Sequence, residues 1–437
     1  MDNTLEKSAM RKIYIRLLPF LIFGYVLTYI DRINVSFAAL TMRGDLHLSA
    51  AIFGFGAGLF FWGYFLFEVP SNIVMEKVGA RLWIARIMLT WGCFAGLTAA
   101  VVGPDTFAIV RFLLGAAEAG FFPGIILYFT YWFPARHHAR IVSGFLVGLP
   151  VAVAVGAPIS TALLGLDGWF GLRGWQIMYI AEAIPTVLLG IVTLFVLTDR
   201  PQEARFLTPA EKAWLSTTLA AECRARESVQ TYSLWQSMFD RKVLLLSLNY
   251  FGIVTASLGM LIFIPQIIKS LGNVSNMTAG WLTMVPYICG GVAMVVWGRV
   301  SDSMHERRWN LFVACVVATL GLVLAGMTMG TWWALVGMSI AAVGFYGSKG
   351  PFWSMPPMFL TGTAAAAGIA WINSLGNLGG FFGPWYVGLM KDATGSFAGG
   401  LYGLGLLSLV SSVVCAFFLQ IPDQTINLPA ASAVEAR

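Results

Sequence analysis

Long apolar runs, separated by short polar connections, recur along the chain. A helix needs about 20 mainly apolar residues to cross a bilayer, and twelve segments meet this requirement. We number them as spans 1 to 12; they lie near residues 17–40, 52–74, 83–103, 106–133, 141–165, 175–198, 243–268, 278–299, 309–328, 332–353, 364–389 and 397–420. The pattern predicts an all-α polytopic membrane protein with twelve transmembrane helices.

The composition fits a chain that lies mostly in lipid. Of the 437 residues, 58% are hydrophobic and only 11% are charged, whereas soluble domains carry about 25% charged residues. The first apolar stretch contains charge and is too long for a cleavable signal peptide. We therefore expect it to remain in the protein as span 1.

The basic residues that give the net charge of +6 are distributed according to the predicted topology and do not indicate a nucleic-acid-binding surface. We assign 20 of the 27 Lys and Arg residues to the N-terminus, the even-to-odd connections and the C-terminus. Four lie on the opposite side: Arg43, Arg173, Lys269 and Lys391. The positive-inside rule then places both termini in the cytoplasm, and we expect the bacterial cytoplasmic (inner) membrane and no nucleic-acid partner.

Neither the cysteines nor the histidines suggest a metal or cofactor site. Four of the five cysteines fall in predicted spans, and Cys223 lies in the central loop. No CxxC or Cys/His cluster is present, and the four histidines all lie in short connections. We therefore expect no metal and no cofactor.

A long polar interval divides the chain into domains. We assign 1–198 to an N-terminal six-helix bundle, 199–242 to a cytoplasmic linker, and 243–437 to a C-terminal six-helix bundle and tail. Within the linker, TPAEKAWLSTTLAAE places Thr208 as an N-cap, Pro209 at the first helical position and Glu211 to close a capping box. This pattern predicts a short amphipathic helix at the membrane surface.

A signal repeats after spans 2 and 8. NIVMEKVGAR and GRVSDSMHERR each carry an acid followed by basic residues, and the two acids, Glu76 and Asp302, are 226 residues apart. Basic residues at cytoplasmic helix ends would explain either segment alone. Their matching positions favour an internal duplication, hence two pseudo-symmetric bundles, with Glu76, Arg81 and Asp302 as a candidate gating motif.

Span 1 carries two charged neighbours, Asp31 and Arg32, inside its apolar run. Placing Asp or Arg at a helix centre costs about 2.5–3.5 kcal/mol on insertion scales. Consecutive residues point about 100° apart around a helix, so these two cannot neutralise each other face to face. Each needs a partner on another helix, a water-filled cavity or a ligand.

Span 4 contains a second pair, Arg111 and Glu118. Their seven-residue spacing puts them on one face, about 10 Å apart along the axis, and Gly115 between them leaves room for another helix or a substrate. We expect the acids and arginines of spans 1 and 4 to oppose each other across a cavity in the N-terminal half. A static ion network that only fixes packing is the alternative, and its energetics are poor.

Two acids near two arginines can also couple protons to an anion. An arginine stays charged, whereas a buried carboxylate can exchange a proton. An anionic substrate would compete with the carboxylates for a guanidinium, and protonation of an acid would release its arginine to the substrate. This reasoning gives Asp31, Glu118 and Arg111 proton-coupling roles.

Three further side chains are candidate substrate contacts. Tyr29 lies three residues before Arg32, and Tyr64 lies in the middle of span 2. Either tyrosine can hydrogen-bond a carboxylate, although a membrane tyrosine also serves packing. Lys349 in span 10 is either a third buried cation or a side chain that reaches the cytoplasm.

Span 11 and two acids complete the polar set. Asn373, Ser374 and Asn377 either bind substrate or join helices by hydrogen bonds. Glu68 and Glu182 lie closer to the ends of their spans, and we expect structural roles for them.

Five segments carry a similarity to a known family: YIDRINVSFA in span 1, EVPSNIVMEKVGAR after span 2, RFLLGAAEAGFFPGIILYFTYWFPARHHAR through span 4, TDRPQEARFLTPAEKAWL after span 6, and GIAWINSLGNLGGFFGPWYVG in span 11. With these motifs the chain resembles the major facilitator superfamily and, within it, the anion:cation symporter branch. Bacterial members of that branch take up galactonate, glucarate, tartrate, phthalate or hydroxyphenylacetate with protons.

The resemblance implies the same substrate-binding residues. It implies that Arg32 binds the substrate carboxylate, with the tyrosines matching Tyr29 and Tyr64 nearby. An asparagine in span 11, best matched by Asn373, is implied to help bind substrate.

The resemblance also implies proton carriers, and the chain departs from the family at two places. Asp31 and Glu118 match the proton-carrying acids, and Arg111 matches the arginine that pairs with them. The usual glycine and aspartate of the cytoplasmic motif are replaced by Asn72 and Glu76. Span 5, with GLPVAVAVGAP, lacks the glutamine that sugar-acid transporters use, which leaves smaller or aromatic acids open.

These observations predict a secondary active transporter rather than an enzyme. We expect proton-coupled uptake (symport) of a small organic carboxylate by alternating access, by a monomer, with the proton as coupling ion. An exporter or antiporter of organic anions or drugs on the same fold is the alternative. An integral-membrane enzyme fits poorly, because His137 and His138 beside Arg136 and Arg140 resemble a basic loop.

Overall fold

The computed structural model describes residues 2–146, 148–227, 238–304, 306–358 and 362–419, and its regular structure there is helical. Part of the predicted linker (228–237), His305 and the tail from 420 onward lie outside the described residues.

Among the described residues of the N-terminal half, eight helical segments form the six spans. They are α1 (Asp2–Asp45), α2 (Ala50–Val78), α3 (Ala80–Leu97), α4 (Pro104–Glu118), α5 (Phe121–Trp132), α6 (Ala135–Leu146), α7 (Gly148–Leu164) and α8 (Gly174–Val196). Helices α4 and α5 together make span 4, and α6 with α7 makes span 5.

The linker helix and the C-terminal half follow. They are α9 (Pro209–Glu227), α10 (Arg241–Lys269), α11 (Asn276–Met304), α12 (Arg308–Met327), α13 (Trp333–Gly347), α14 (Lys349–Ser354), α15 (Gly362–Asn377), α16 (Gly379–Thr394) and α17 (Ala398–Phe418).

Ten helical segments of the described part are long and apolar enough to cross a membrane. Spans 10 and 11 are not among these ten. Each consists of two shorter helices, α13 with α14 and α15 with α16, as span 4 also does. The sequence predicted each of these three spans as one continuous helix, so this part of the prediction was wrong. The divisions of spans 10 and 11 fall beside Lys349 and Asn377, both of which the sequence singled out.

Helix α1 begins at Asp2, well before the predicted start at 17. Its early polar turns are helical because they contact other parts of the protein. Lys12 Nζ lies 2.8 Å from Glu211 Oε1 of α9, and Glu6 pairs with Arg136 of α6 at 2.6 Å.

The predicted capping box of α9 is present. The Thr208 N–H donates to Glu211 Oε2 at 2.8 Å, and the Glu211 N–H donates to Thr208 Oγ1 at 3.3 Å. Glu211 also accepts from Lys12 Nζ at 2.8 Å and from Ser8 Oγ at 2.7 Å. Burial opposes the ionisation of Glu211, but these bonds from Lys12, Ser8 and Thr208 outweigh it and lower its pKa to about 2.

Two glycines position Glu118 at the end of α4. Gly120 has φ +89°, a left-handed conformation in which a side chain is strained, and it ends the helical run two residues after Glu118. A Cβ on Gly115 would lie 1.9 Å from the backbone oxygen of Phe60. The room that the sequence predicted at Gly115 is therefore occupied by α2.

The two halves meet at the end of the bundle that lies away from the start of α1. Asp392 Oδ1 and Oδ2 accept from the N–H groups of Ala50 at 3.0 Å and Ala51 at 2.7 Å, and Arg43 Nη1 donates to Gln266 Oε1. Helix α2 packs against α16, α7 against α11 and α1 against α10. These contacts close that end of the bundle.

Candidate functional site

A cavity of about 140 Å³ lies between the two halves. Its charged lining residues are Arg32 and Arg111 of the N-terminal half and Lys349 of the C-terminal half. Within the described residues, no Asp or Glu lines it. Three basic side chains without an acid at the surface make the cavity suitable for an anion.

Arg32 is paired with Glu118 at the edge of this cavity. Arg32 Nε and Nη2 lie 2.7 Å and 2.6 Å from Glu118 Oε1. The Glu118 side chain is only 1% exposed, whereas that of Arg32 is 23% exposed. The buried carboxylate therefore holds a guanidinium that still reaches the cavity.

Aromatic rings surround the Arg32 guanidinium. Its carbon lies 5.0 Å from the centroid of Tyr64, 5.4 Å from that of Phe60 and 5.5 Å from that of Tyr29. Such cation–π contacts stabilise a cation that is largely removed from water. Tyr29 also lines the cavity, whereas Tyr64 is buried and is not among its lining residues.

Asp31 forms no ion pair with an arginine among the described residues. Its carboxylate accepts from Asn34 Nδ2 and from Thr186 Oγ1, each at 3.4 Å. The same Asn34 nitrogen donates to Glu182 Oε2 at 2.9 Å, and Ser160 Oγ donates to Glu182 Oε1 at 2.6 Å. Asp31 is therefore linked to a second acid through an amide rather than to an arginine through an ion pair.

Arg111 lines the cavity and forms no ion pair among the described residues. It is 2% exposed, and its Nε and Nη1 atoms have no hydrogen-bond partner among the described residues. Its guanidinium carbon lies 5.2 Å from the centroid of Phe60. It does not pair with Glu118, because a seven-residue spacing is about 10 Å along a helix and Glu118 is bound to Arg32.

Lys349 is a cation of the cavity, which decides between the two alternatives that the sequence left open. It begins α14 directly after the interruption of span 10 and lines the cavity. Its Nζ lies 4.8 Å from the centroid of Tyr346.

Asn373 is engaged elsewhere in this conformation. Its Nδ2 donates to Glu68 Oε1 at 3.3 Å, and Ser374 Oγ donates to Glu68 Oε2 at 3.0 Å. These bonds join the two halves, in agreement with the structural role expected for Glu68. Asn377, one turn further along the same helix, is the span 11 asparagine that lines the cavity.

The three gating candidates lie outside the cavity. Arg81 donates its backbone N–H to Asp199 Oδ1 at 2.8 Å, and its Nε lies 3.9 Å from Asp199 Oδ2. Asp302 pairs with Arg307 at 2.5 Å, and Glu76 is exposed. The structure therefore joins Arg81 to an acid after span 6 rather than to Glu76.

The sequence reasoning missed several polar groups of the site. Asn34 and Ser160 bridge to Glu182, while Tyr250 and Tyr287 line the cavity. The Tyr287 hydroxyl is buried without a hydrogen-bond partner among the described residues. A tyrosine or amide in the middle of a span was the available signal, the same one that singled out Tyr64.

Comparison with known proteins identifies the family. The model of the Major Facilitator Superfamily matches residues 21–384. A protein named "Putative tartrate transporter" from Agrobacterium vitis is 50% identical over 412 residues, which cover 94% of this chain and 91% of the relative. A "Quinolone resistance transporter" from Acinetobacter baumannii is 38% identical over 427 residues, covering 97% of this chain and 98% of that protein.

A solved structure gives the same fold. It belongs to a bacterial homolog of the human lysosomal transporter Spinster and superposes with a TM-score of 0.76 at 17% identity. The match covers 93% of this chain and 96% of the other. The predicted family and fold are thus confirmed: the chain is a multi-pass helical membrane transporter that belongs to the Major Facilitator Superfamily.

Proposed function

We propose that the protein takes up a small organic carboxylate of the tartrate type together with protons, by alternating access. The relative from Agrobacterium vitis supports the substrate class. The cationic lining of the cavity, formed by Arg32, Arg111 and Lys349, supports an anionic substrate.

One observation supports the proton coupling: Glu118 is bound to the Arg32 guanidinium, the group that a substrate carboxylate would need. At 2.6 Å the Arg32–Glu118 pair is fully formed, and the acid has almost no contact with solvent. A substrate carboxylate that binds Arg32 displaces Glu118, which then stays buried without a counter-ion unless it takes a proton. An unpaired buried charge is strongly unfavourable, so substrate binding and protonation of Glu118 favour each other.

Asp31 and Arg111 have supporting roles in this proposal. Asp31 lies behind the cavity, where Asn34 and Thr186 hold it, and it provides a second carboxylate for a proton. Two nitrogens of Arg111 have no hydrogen-bond partner within the described segments and can donate to a carboxylate oxygen of the substrate or of displaced Glu118.

The orientation of the chain follows from its basic residues. With both termini in the cytoplasm of a bacterial cell, the end closed by Asp392 and Gln266 faces the periplasm. The periplasmic end is then the one that is closed in this structure. One chain contributes both walls of the cavity, and we propose that the monomer, with the domain limits 1–198, 199–242 and 243–437, is the transporting unit.

We also propose that Glu76, Arg81 and Asp302 act when the cytoplasmic ends of the halves approach each other. Arg81 with Asp199, and Asp302 with Arg307, hold the cytoplasmic connections in defined positions. Exposed Glu76 is available to a partner from the other half in the outward-facing state.

Uptake of labelled tartrate into proteoliposomes tests the proposal. We expect an acidic exterior to drive accumulation by the wild type, and Arg32→Gln to abolish it. Glu118→Gln should exchange tartrate across the membrane at equal pH but should not accumulate it in response to a pH gradient. Two variants serve as matched controls. Arg86→Gln changes a half-buried arginine of α3 that lies 3.9 Å from the centroid of the Trp83 ring, and Glu203→Gln changes an exposed acid. Accumulation by Glu118→Gln equal to that of the wild type would contradict the proposal.

Export is the second candidate, because the Acinetobacter baumannii relative is named for quinolone resistance. The same proteoliposomes distinguish the directions. Substrate that enters when the exterior is acidic indicates symport, whereas substrate that leaves under that gradient indicates exchange for protons.

A further inference from the structure

Lys349 lies directly after the point at which the helix of span 10 is interrupted. Helix α13 ends at Gly347 and α14 begins at Lys349. Ser348 between them is buried, its hydroxyl donates to the Phe345 oxygen at 2.8 Å, and its own oxygen accepts from the Phe352 N–H at 3.0 Å. These bonds fix the backbone on both sides of the lysine.

The ammonium group has no acidic partner in the described residues. Its only described contact of a polar or aromatic kind is the face of Tyr346, with Nζ 4.8 Å from the ring centroid. A cation inside a membrane protein is costly without a counter-ion, and a cation–π contact offsets only about 0.5–2 kcal/mol. The site is therefore incomplete without an anion.

A second unsatisfied cation faces the same cavity from the other half. Arg111 is buried and has two nitrogens without hydrogen-bond partners in the part of the chain that the structure describes, while Arg32 is bound to Glu118. A ligand with a single carboxylate can satisfy the N-terminal half and leaves Lys349 unpaired. A ligand with two carboxylates can satisfy both halves.

We infer that Lys349 selects dicarboxylates by binding the carboxylate distal to the one held by the N-terminal arginines. This inference rests on the proposed carboxylate transport. Because the two anchors belong to different halves, a dicarboxylate draws them together, and binding itself favours the movement that alternating access requires.

Phenol groups add a preference for hydroxylated dicarboxylates. Tyr287 presents a buried hydroxyl with no described partner, and Tyr250 and Tyr346 line the same wall. A site with a buried hydrogen-bonding group disfavours a ligand that leaves the group unpaired. Hydroxyl groups between two carboxylates would meet these phenols.

Tartrate and the stereochemically matched threonate test the role of Lys349. The two acids share a four-carbon hydroxylated chain, and threonate has a CH₂OH group where tartrate has its second carboxylate. In wild-type proteoliposomes we expect kcat/KM for tartrate to exceed that for threonate by about tenfold or more, because a hydrogen bond to a charged group contributes a free energy of that size. Lys349→Gln should lower this ratio about tenfold, mainly through the KM for tartrate, and Lys349→Arg should largely restore it.

Lys212→Gln, at a lysine of α9 remote from the cavity, is the matched control and should leave the ratio unchanged. An unchanged ratio in folded Lys349→Gln, or a wild type that does not favour tartrate, would overturn the role of Lys349 while carboxylate transport stands. Absence of proton-driven uptake of both acids by the wild type would instead refute the proposed function, and with it this inference.

Discussion

Replacing Asp392 with alanine should open the end of the bundle that is closed in this structure. Asp392 belongs to α16 of the C-terminal half, yet its carboxylate accepts from the N–H groups of Ala50 and Ala51 at the start of α2. It thus caps a helix of the other half. The cap exists only while the two halves touch, so its loss affects the closed state and not the open one.

The magnitude follows from the number and exposure of these bonds. Asp392 is exposed, and both bonds lie at the surface or are only partly buried. We therefore expect the ordinary cost of an N-cap deletion, about 1 kcal/mol, rather than the larger cost of a buried charge. At 1.4 kcal/mol per tenfold, the ratio of closed to open molecules should fall about fivefold.

Asp240 provides a matched control. Its carboxylate caps α10 within the C-terminal half, accepting from the Lys242 N–H at 2.8 Å and from the Val243 N–H at 3.4 Å. Asp240→Ala therefore removes a cap that both states retain. It should lower the thermal stability and leave the ratio of closed to open molecules unchanged.

Distances between spin labels measure this ratio in nanodiscs. Val102 is 80% exposed after α3, and Met327 is 73% exposed at the end of α12, so labels there report on the two halves at the closed end. Cysteines at both positions, in a cysteine-free background, should give a larger long-distance population in Asp392→Ala. A ratio within twofold of the unsubstituted protein, or an equal shift in Asp240→Ala, would refute the reasoning.

The pH dependence of this contact has a definite sign. Burial opposes the ionisation of Asp392, but the N–H groups of Ala51 and Ala50, the Ser49 hydroxyl and Arg43 outweigh it and lower the pKa of Asp392. A lowered pKa means that the carboxylate stabilises the closed end fully above its usual pKa and loses this effect as the pH falls through the lowered value. The difference between wild type and Asp392→Ala should therefore stay constant from about pH 8 to about pH 5.

Two further predictions concern stability. Glu211→Gln should lower the midpoint of thermal unfolding, because it removes the ion pair with Lys12. The stabilisation by Glu211 is complete above its ordinary pKa of 4.5 and disappears as the pH falls through about 2, so the difference between the two proteins should vanish in acid. An equal difference at pH about 2 contradicts this. Gly115→Ala should destabilise the folded protein by about 1–3 kcal/mol or more, since the new Cβ would lie 1.9 Å from the Phe60 oxygen. Gly298→Ala, with nothing within 4 Å, should be neutral or stabilising in the same thermal assay.

Features that depend on neighbouring residues could be predicted from the sequence. The hydropathy pattern located the spans, the Thr208–Glu211 spacing gave the capping box, and the cost of charge in lipid identified Arg32 and Glu118 as residues in need of partners. The Arg32–Glu118 pair was one of the expected combinations. Local pattern and the energetics of burial were sufficient for these features.

Contacts between distant segments could not be predicted in the same way. Asn373 meets Glu68 across 305 residues, and the backbone N–H of Arg81 meets Asp199 across 118 residues. Both depend on how the helices are arranged, which no local pattern encodes. The interruption of span 10 beside Lys349 was also missed, although Gly347, Gly350 and Pro351 around it disfavour a continuous helix.

Proton uptake on substrate binding tests the central claim, that Glu118 gives up Arg32 to the substrate and takes a proton instead. Tartrate is added to purified protein in weakly buffered detergent solution near neutral pH, and the protons absorbed per bound molecule are measured. We predict that the wild type takes up protons on binding and that Glu118→Gln takes up about one fewer. The same proton number in both proteins, or none in the wild type, would contradict the account.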